Sequence, residues 1–210
     1  SVTEEDRASM IPHHIIGDLD SAREEALAYY KNKGTIVTKN PNQDNTDLEK
    51  SLDLLCELRR NSSCSRSSPH SSTSSVKDSK MNVVVMGAFG GRFDQEMANC
   101  NCLFNYSNEY ESMVLLGDGN CVTFLRGGTD IEHVIEMIPG LEGPGCALLP
   151  IGGTATSVTT SGLKWDVNNT TLRFGGLVSS SNRAADGNDV GGTISVKTSH
   201  PILWSCDLVL

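Results

Sequence analysis

Hydrophobic and polar positions in the first half of the chain alternate between a strand period and a helix period. Short β-branched runs predict strands, and longer stretches with apolar residues every three or four positions predict helices. The predicted strands are His14 to Ile16, Thr35 to Thr38, Met81 to Met86 (a buried strand) and Ser112 to Leu116. The predicted helices are Ser21 to Lys33, a helix that starts at Thr46, and Asp94 to Tyr106. This βαβαβαβ series predicts a parallel, Rossmann-like sheet with right-handed crossovers.

The ends of these helices carry recognisable signals. Ser21-x-x-Glu24 and Thr46-x-x-Glu49 both have the form of a capping box. Gly34 predicts the end of the first helix, and Asp94 predicts the N-cap of the third. The second helix carries one apolar stripe, which consists of Leu48, Leu52, Leu55 and Leu58.

The pattern changes after Gly117-Asp118-Gly119-Asn120, which predicts a tight turn. Short strands separated by Gly, Pro, Asn and Asp follow, as is typical of an antiparallel sandwich or barrel. They are Cys121–Arg126, Ile131–Ile138, Cys146–Ile151, Thr154–Thr160, Thr171–Phe174, Gly192–Thr198 and Ile202–Val209. The sequence therefore predicts an α/β domain over residues 1–117 and an all-β sandwich domain over residues 118–210.

One segment breaks the alternation in the first domain. Residues 61–80 are dominated by serine and have no apolar periodicity. Such a segment cannot bury enough apolar surface to order itself, so we expect a flexible surface insert.

Composition limits the classes of partner. The formal net charge of −9 argues against a nucleic-acid partner, because no basic face compensates for it. No apolar run approaches the ~20 residues of a membrane span, and no secretory signal is visible, so we expect a cytoplasmic protein without a membrane partner. Seven cysteines at irregular spacing predict reduced, structural thiols.

Two acidic segments lie where predicted strands lead into predicted helices. They are Gly17-Asp18-Leu19-Asp20-Ser21 and Gln43-Asp44-Asn45-Thr46-Asp47. Such junctions gather at one edge of a parallel sheet, where carboxylates repel each other unless a cation lies among them. Mg²⁺ suits a site with few carboxylates, several waters and phosphate oxygens. Taken singly, each residue also has a structural explanation as a cap or turn residue.

A glycine-rich segment follows the strand that ends at Met86. Gly90 and Gly91 let backbone amides approach a ligand, and Arg92 offers a cation for phosphate oxygens. The alternative to phosphate binding is a local ion pair between Arg92 and Asp94.

In the second domain, Trp165 either packs in the core or stacks on a flat heteroaromatic ring beside the Ser/Asn cluster at 179–182.

Taken in order, these segments resemble the thiamin pyrophosphokinase family. The matching motifs are Gly17-Asp18-x-Asp20-Ser21, Gln43-Asp44-x-Thr46-Asp47, Gly90-Gly91-Arg92-Phe93-Asp94, Gly162-Leu163-Lys164-Trp165 and Val178-Ser179-x-Ser181-Asn182. The resemblance implies an α/β domain followed by a β-sandwich. It also implies transfer of pyrophosphate from ATP to thiamin, and a homodimer with composite active sites at its interface.

The resemblance also implies roles for individual residues. Asp18, Asp20 and Asp47 match the positions that hold Mg²⁺ and the ATP phosphates, and Arg92 joins them as a catalytic residue. The remaining ATP-side positions are Gln43, Asp44, Thr46, Gly91 and Asp94. The thiamin-side positions are Trp165, Ser179, Ser181 and Asn182. Either Asp20 or Asp47 is expected to accept the proton of the thiamin alcohol.

One family feature has no match. The family has an earlier strand that ends in Asp-Gly-Gly-Ala-Asn, so we expect the N-terminal part of the α/β domain to be missing from this chain. Two alternatives remain open at this point. One is a non-catalytic thiamin-binding dimer, and the other is a nucleotide-sugar transferase that uses Asp18 and Asp20 to hold a metal diphosphate.

Overall fold

The computed structural model describes residues 8–64, 80–185 and 192–209. Contacts divide the chain into two compact units, Ser1–Asp78 and Ser79–Leu210. The first unit contains β1 (His14–Gly17), α1 (Glu24–Asn32), β2 (Ile36–Lys39) and α2 (Asp47–Cys64). β1 and β2 pair in parallel, with Gly17 opposite Lys39 at their carboxyl ends. α2 packs on β1, and α1 packs on β2.

The second unit contains one long helix, α3 (Phe93–Asn105), and two sheets. Its strands are β3 (Asn82–Met86), β4 (Ser112–Gly117), β5 (Asn120–Leu125), β6 (His133–Glu136), β7 (Glu142–Leu149), β8 (Ala155–Ser161), β9 (Thr170–Leu172), β10 (Ser179–Arg183), β11 (Thr193–Thr198) and β12 (Ile202–Leu208). The strand order is β10-β7-β12-β5-β4-β3 in one sheet and β6-β11-β8-β9 in the other.

The two sheets of the second unit enclose its hydrophobic core. Leu148, Ile202 and Trp204 come from the six-stranded sheet, and Val158 and Val196 come from the four-stranded sheet. All five side chains are buried. The strands predicted after residue 118 are present, with ends moved by up to four residues, and they pack as two antiparallel layers. β10 was not predicted.

The predicted parallel sheet is not seen as one sheet among the described residues. β1 and β2 form their own two-stranded sheet, whereas β3 and β4 pair in parallel at the edge of the six-stranded sheet. On its other side β4 pairs with antiparallel β5, to which it is joined by a short turn. Asp118 (φ 45°) and Gly119 (φ 72°) both adopt positive φ there, which confirms the predicted tight turn. The domain division at 117 and 118 stays a prediction.

Several local predictions were wrong. β3 is an edge strand rather than a buried one, with Val84 61% and Met86 82% exposed. α1 begins at Glu24 with Arg23 as its N-cap and no side-chain cap, so Ser21 does not form the predicted capping box. Arg92, not Asp94, is the N-cap of α3. Asn61 to Cys64 extend α2, and most of the remaining predicted insert lies outside the described residues.

The second capping box is confirmed. The Thr46 backbone N–H donates to Oε2 of Glu49 at 2.8 Å, and the Glu49 N–H donates to Oγ1 of Thr46 at 3.2 Å. Of the leucine stripe that follows, Leu52 is buried, Leu48 and Leu55 are half-buried, and Leu58 is exposed. None of the helices in the described ranges is both long and apolar enough to cross a membrane.

We expect Thr46→Ala to lower the free energy of unfolding by about 1 kcal/mol, because it removes a side-chain cap. Urea unfolding followed by circular dichroism measures this change. Ser21→Ala is the matched control, since Ser21 does not cap α1, and it should change stability by less than about 0.5 kcal/mol. Equal losses in the two variants would contradict the assignment.

Candidate functional site

Asp18 and Asp20 lie directly after the carboxyl end of β1. Leu19 between them has a positive φ of 61°, which turns the backbone so that the Asp20 N–H donates to Oδ1 of Asp18 at 3.1 Å. This hydrogen bond lowers the pKa of Asp18 below its ordinary value, and the nearby ammonium groups of Lys50 and Lys39 and a hydrogen bond from Gln43 act in the same direction. Asp18 is therefore held as a carboxylate.

Asp47 reaches the same end of β1 from the first turn of α2. A Cβ added to Gly17 would lie 2.9 Å from Oδ2 and 3.0 Å from Cγ of Asp47. The carboxylate therefore lies directly over Gly17, and a larger residue there would require it to move. The capping box of Thr46 and Glu49 fixes the start of α2 and with it the position of Asp47.

Two lysines neutralise this acidic end of β1. Lys39 Nζ lies 3.3 Å from Oδ1 of Asp20, and Lys50 Nζ lies 3.0 Å from Oδ1 of Asp47. The Lys50 side chain is only 3% exposed, whereas that of Asp47 is 61% exposed. Protein cations therefore offset part of the repulsion among the three aspartates, and the metal site stays a prediction. The charge on the aspartates alone does not establish a metal site.

The spacing of the carboxylates leads to the same conclusion. Asp18, Asp20 and Asp47 do not form a group whose ligand atoms all lie within 4.8 Å of one another, judged over the residues that the structure describes. Of the other predicted ATP-side positions in this unit, Gln43 hydrogen-bonds Asp18, and Thr46 is the helix cap. Asp44 is exposed, and its backbone N–H donates to Oδ1 of Asn42.

The glycine-rich loop of the second unit binds an anionic oxygen within the chain. The backbone N–H groups of Gly90 and Gly91 both donate to Oε1 of Glu96, at 2.9 and 3.2 Å. Gly90 has a positive φ of 97°, and a Cβ there would lie 3.1 Å from Cβ of Asp118. Two convergent amides at the start of a helix form the kind of cradle that also suits a phosphate oxygen.

Arg92 and Asp94 pair with each other at the same helix start. Arg92 Nε donates to Oδ1 of Asp94 at 3.1 Å, and a second nitrogen of the guanidinium donates to Oδ2. This pairing raises the pKa of Arg92 and lowers the pKa of Asp94. Both side chains are more than half exposed, so the pair is open to rearrangement by a ligand. The local pairing considered from the sequence is thus present.

Asn182 joins the Trp165 loop to β10. Its Nδ2 donates to the Trp165 carbonyl at 2.9 Å and to Oγ of Ser179 at 3.3 Å, and its Oδ1 accepts the N–H groups of Trp165 and Arg183. The side chain is buried and uses all of its hydrogen-bonding capacity within the protein. We therefore assign Asn182 a positioning role rather than direct contact with a ligand.

The ring of Trp165 is presented to the outside of this loop. The residue is 55% exposed, so the core alternative is wrong. Lys164 places its ammonium group 5.0 Å from the ring centroid, so the ring already carries a cation. The predicted thiamin-side residues Trp165, Ser179 and Asn182 are thus in one cluster. Ser181 lies beside it in a bulge of β10, exposed and with a φ of 56°.

Sequence reasoning gave no role to five residues of these sites. They are Lys39, Lys50, Glu96, Lys164 and Asp166. Asp166 holds the Trp165 loop by accepting from Oγ1 of Thr160 and from the N–H groups of Gly162 and Leu163. Lys39 could have been found from the sequence. It ends β2, Asp18 follows the end of β1, and the ends of neighbouring parallel strands lie side by side. Lys50 lies three residues after Asp47, within reach on one helix face.

Family comparisons cover most of the chain. The family described as "Thiamin pyrophosphokinase, catalytic domain" matches residues 2–115. The family described as "Thiamin pyrophosphokinase, vitamin B1 binding domain" matches residues 132–203. The chain is 37% identical over 198 residues to thiamine pyrophosphokinase 1 of Oryza sativa subsp. japonica, which covers 94% of the chain and 66% of the relative. Thiamine pyrophosphokinase 1 of Arabidopsis thaliana gives the same values.

Solved structures give the same result. The crystal structure of yeast thiamin pyrophosphokinase aligns with a TM-score of 0.81 and 25% identity over 99% of this chain and 73% of that one. Thiamin pyrophosphokinase from Candida albicans aligns with a TM-score of 0.78 and 23% identity over 97% of this chain and 75% of that one, which shows the shared fold. The chain spans 66% of the length of the two plant relatives.

We expect Asn182→Ala to lower the free energy of unfolding of the second unit by about 2–3 kcal/mol, because backbone groups of Trp165 and Arg183 lose their partners. Differential scanning calorimetry measures this change. Ser180→Ala, at an exposed position of the same strand, is the control and should change stability by less than about 0.5 kcal/mol. A wild-type melting profile for Asn182→Ala would show that the four hydrogen bonds do not hold the loop.

Proposed function

This chain belongs to the thiamin pyrophosphokinase family, and we propose that it transfers the pyrophosphoryl group of ATP to thiamin, giving thiamin diphosphate and AMP. One observation carries the proposal. Gly90 and Gly91, within the match to the catalytic domain, direct two backbone amides at a single carboxylate oxygen. A phosphate oxygen of ATP takes the place of Glu96 on these amides, since both are anionic acceptors.

The ATP-side residues then have complementary tasks. Arg92 leaves Asp94 to neutralise phosphate oxygens, and its planar group contacts two of them at once. Attack occurs at the β-phosphorus, so catalysis consists chiefly of positioning and of stabilising the developing charge. Asp20 or Asp47 accepts the proton of the thiamin hydroxyl. Gln43 orients Asp18, and Asp44 lies on the loop that leads to the Thr46 cap.

Asp18, Asp20 and Asp47 would hold Mg²⁺. Their oxygens are the hard donors that this ion prefers, and Mg²⁺ keeps several of its waters, so carboxylates that are not in direct mutual contact suit it through bridging water. Mg²⁺ would supply charge neutralisation for the triphosphate. Lys39 and Lys50 then act as neutralising groups while ATP is absent, and Lys39, which is 60% exposed, is free to turn away.

The thiamin side rests on Trp165. Thiamin carries a positive charge, and stacking on the exposed indole would contribute about 1–2 kcal/mol. Lys164 occupies this face at 5.0 Å, so thiamin displaces its ammonium group. Ser179 and Ser181 line the cluster as polar neighbours, and Asn182 keeps the loop in place.

Two broader features complete the proposal. A homodimer with composite sites would cover the exposed Trp165 ring with the α/β domain of a second copy. Six cysteines are buried in the described part of the chain, as suits a reducing, cytoplasmic compartment. The α/β domain over residues 1–117 with a Rossmann-like sheet, and the β-sandwich over residues 118–210, are the domain organisation that we propose for it.

Turnover with thiamin, ATP and Mg²⁺ tests the function. Formation of thiamin diphosphate together with one AMP per product supports the proposal, whereas release of ADP contradicts pyrophosphoryl transfer. Thiamin binding without AMP would favour the non-catalytic dimer. Consumption of a UDP-sugar instead of ATP would favour the nucleotide-sugar transferase.

We expect Asp47→Asn to reduce AMP formation at least ~100-fold, because it removes a carboxylate from the end of β1. Glu57→Gln, at an exposed position of the same helix, should keep wild-type turnover. Because Lys50 is buried and pairs with Asp47, circular dichroism of both variants must first show a folded protein. Near-normal turnover by Asp47→Asn would remove this residue from the site.

We expect Trp165→Ala to weaken thiamin binding about tenfold with little effect on ATP binding, because it removes the stacking surface. Isothermal titration with each substrate separately measures both affinities. Trp165→Phe retains an aromatic face and should lose less thiamin affinity than Trp165→Ala. Equal losses for thiamin and ATP would contradict stacking.

A further inference from the structure

Three cysteines lie side by side across neighbouring strands of the six-stranded sheet. Cys206 of β12 is directly opposite Cys121 of β5 on one side and Cys146 of β7 on the other. Residues directly opposite one another in a sheet point to the same face. All three are buried, and this face is the one that packs into the core of the sandwich.

Glu142, at the start of β7, adds a carboxylate to two of these thiols. One ligand atom each from Cys121, Glu142 and Cys206 lies within 4.8 Å of the others. The Cys206 thiol makes hydrogen-bonding contact with both the Cys121 sulfur and the Glu142 carboxylate. Glu142 is half-buried, and its Oε2 accepts the Ile138 backbone N–H at 2.7 Å. No lysine, arginine or histidine in the described part of the chain forms an ion pair with it.

We propose that Cys121, Cys206 and Glu142 bind a divalent cation of the Zn²⁺ class, with water as the fourth ligand. Two sulfurs and one carboxylate oxygen form a donor set that Zn²⁺ accepts and that Mg²⁺ does not favour. In a tetrahedral site the donor atoms lie about 3.5–3.8 Å apart. The three donor atoms here are within 4.8 Å of one another, so any contraction on binding is limited to about 1 Å. This site is separate from the residues of the proposed function.

The position of the cluster suits entry of a metal ion. Cys121 is the second residue of β5, Cys206 is near the end of β12, and Glu142 begins β7, so the three ligands lie at one end of the sheet. The three ligands lie on neighbouring strands whose backbones are already fixed, so metal binding costs little conformational entropy. Glu142 is the most accessible of the three and provides the route from solvent.

The two cysteine ligands share a hydrogen bond, which shifts their pKa values in opposite directions. The hydrogen bond from Cys206 lowers the pKa of Cys121, and the same contact together with burial raises the pKa of Cys206. Binding of Zn²⁺ replaces the shared protons, so each bound ion releases the protons of both thiols and forms two metal–sulfur bonds. Cys146 differs in position, because its sulfur does not belong to the group of ligand atoms within 4.8 Å of one another, judged over the residues that the structure describes. We therefore expect Cys146 not to bind the ion.

Metal titration of the full chain, reduced with a phosphine that does not bind zinc, tests the proposal. We expect one equivalent of Zn²⁺ per chain, and a sulfur-to-metal charge-transfer band when Co²⁺ is used as the probe. Cys121→Ser and Cys206→Ser should weaken Zn²⁺ binding more than about 100-fold, which exceeds the loss expected from an outer partner. Cys146→Ser, one strand away in the same register, should bind as the wild type does.

Glu142→Gln keeps the test decisive if a serine variant fails to fold, because this side chain is half-buried. It should weaken Zn²⁺ binding more than about 100-fold, as expected for loss of a direct ligand, while the charge-transfer band remains at saturating Co²⁺. Three results would overturn the proposal: no bound Zn²⁺ in the wild type, bound Co²⁺ without the sulfur band, or unchanged Zn²⁺ affinity in Glu142→Gln or in a folded Cys206→Ser.

Discussion

Neutralisation of the carboxylates at the end of β1 is the constraint on which the first unit depends. Asp18, Asp20 and Asp47 bring three negative charges to one place, and Lys39 and Lys50 contribute two positive charges. Lys50 is buried, so its charge is tolerable only because Asp47 lies 3.0 Å away. The two lysines therefore offset two of the three negative charges at the acidic end of β1, which leaves one net negative charge.

The second unit exposes a large aromatic ring, that of Trp165, on a loop whose backbone is held in place. Asn182 and Asp166 are the two anchors of this loop, and both act almost entirely through backbone groups. The backbone of Trp165 is therefore fixed by hydrogen bonds, whereas its ring is not part of the core. In the glycine-rich loop, Glu96 accepts the amides of Gly90 and Gly91, so a side chain again holds a loop through its backbone.

Local signals in the sequence predicted local structure well. Thr46 and Glu49 are three residues apart, so their capping box was visible as a pattern, and the Asp118-Gly119 turn was equally local. Ser21 and Glu24 have the same spacing but no cap, because α1 begins only at Glu24. β10 was missed because Ser-Ser-Ser-Asn-Arg has no apolar alternation, and it buries only the polar Asn182.

The sequence could not show which residues far apart in the chain contact each other. The pairing of Lys39 with Asp20 spans 19 positions, and that of Asn182 with Trp165 spans 17. The cysteine and glutamate cluster on β5, β7 and β12 depends entirely on sheet register. The motif order nevertheless indicated the correct family, because five short motifs in sequence need no knowledge of contacts.

The central claim is that the end of β1 accepts a triphosphate only together with a divalent cation. Isothermal titration of ATP into the chain without thiamin, in the presence of Mg²⁺ and again with excess chelator, tests it most directly. The account predicts measurable ATP binding with Mg²⁺ and a loss of at least about tenfold in affinity without it. Equal ATP affinity under both conditions would contradict it, because the lysines alone would then suffice for the phosphates.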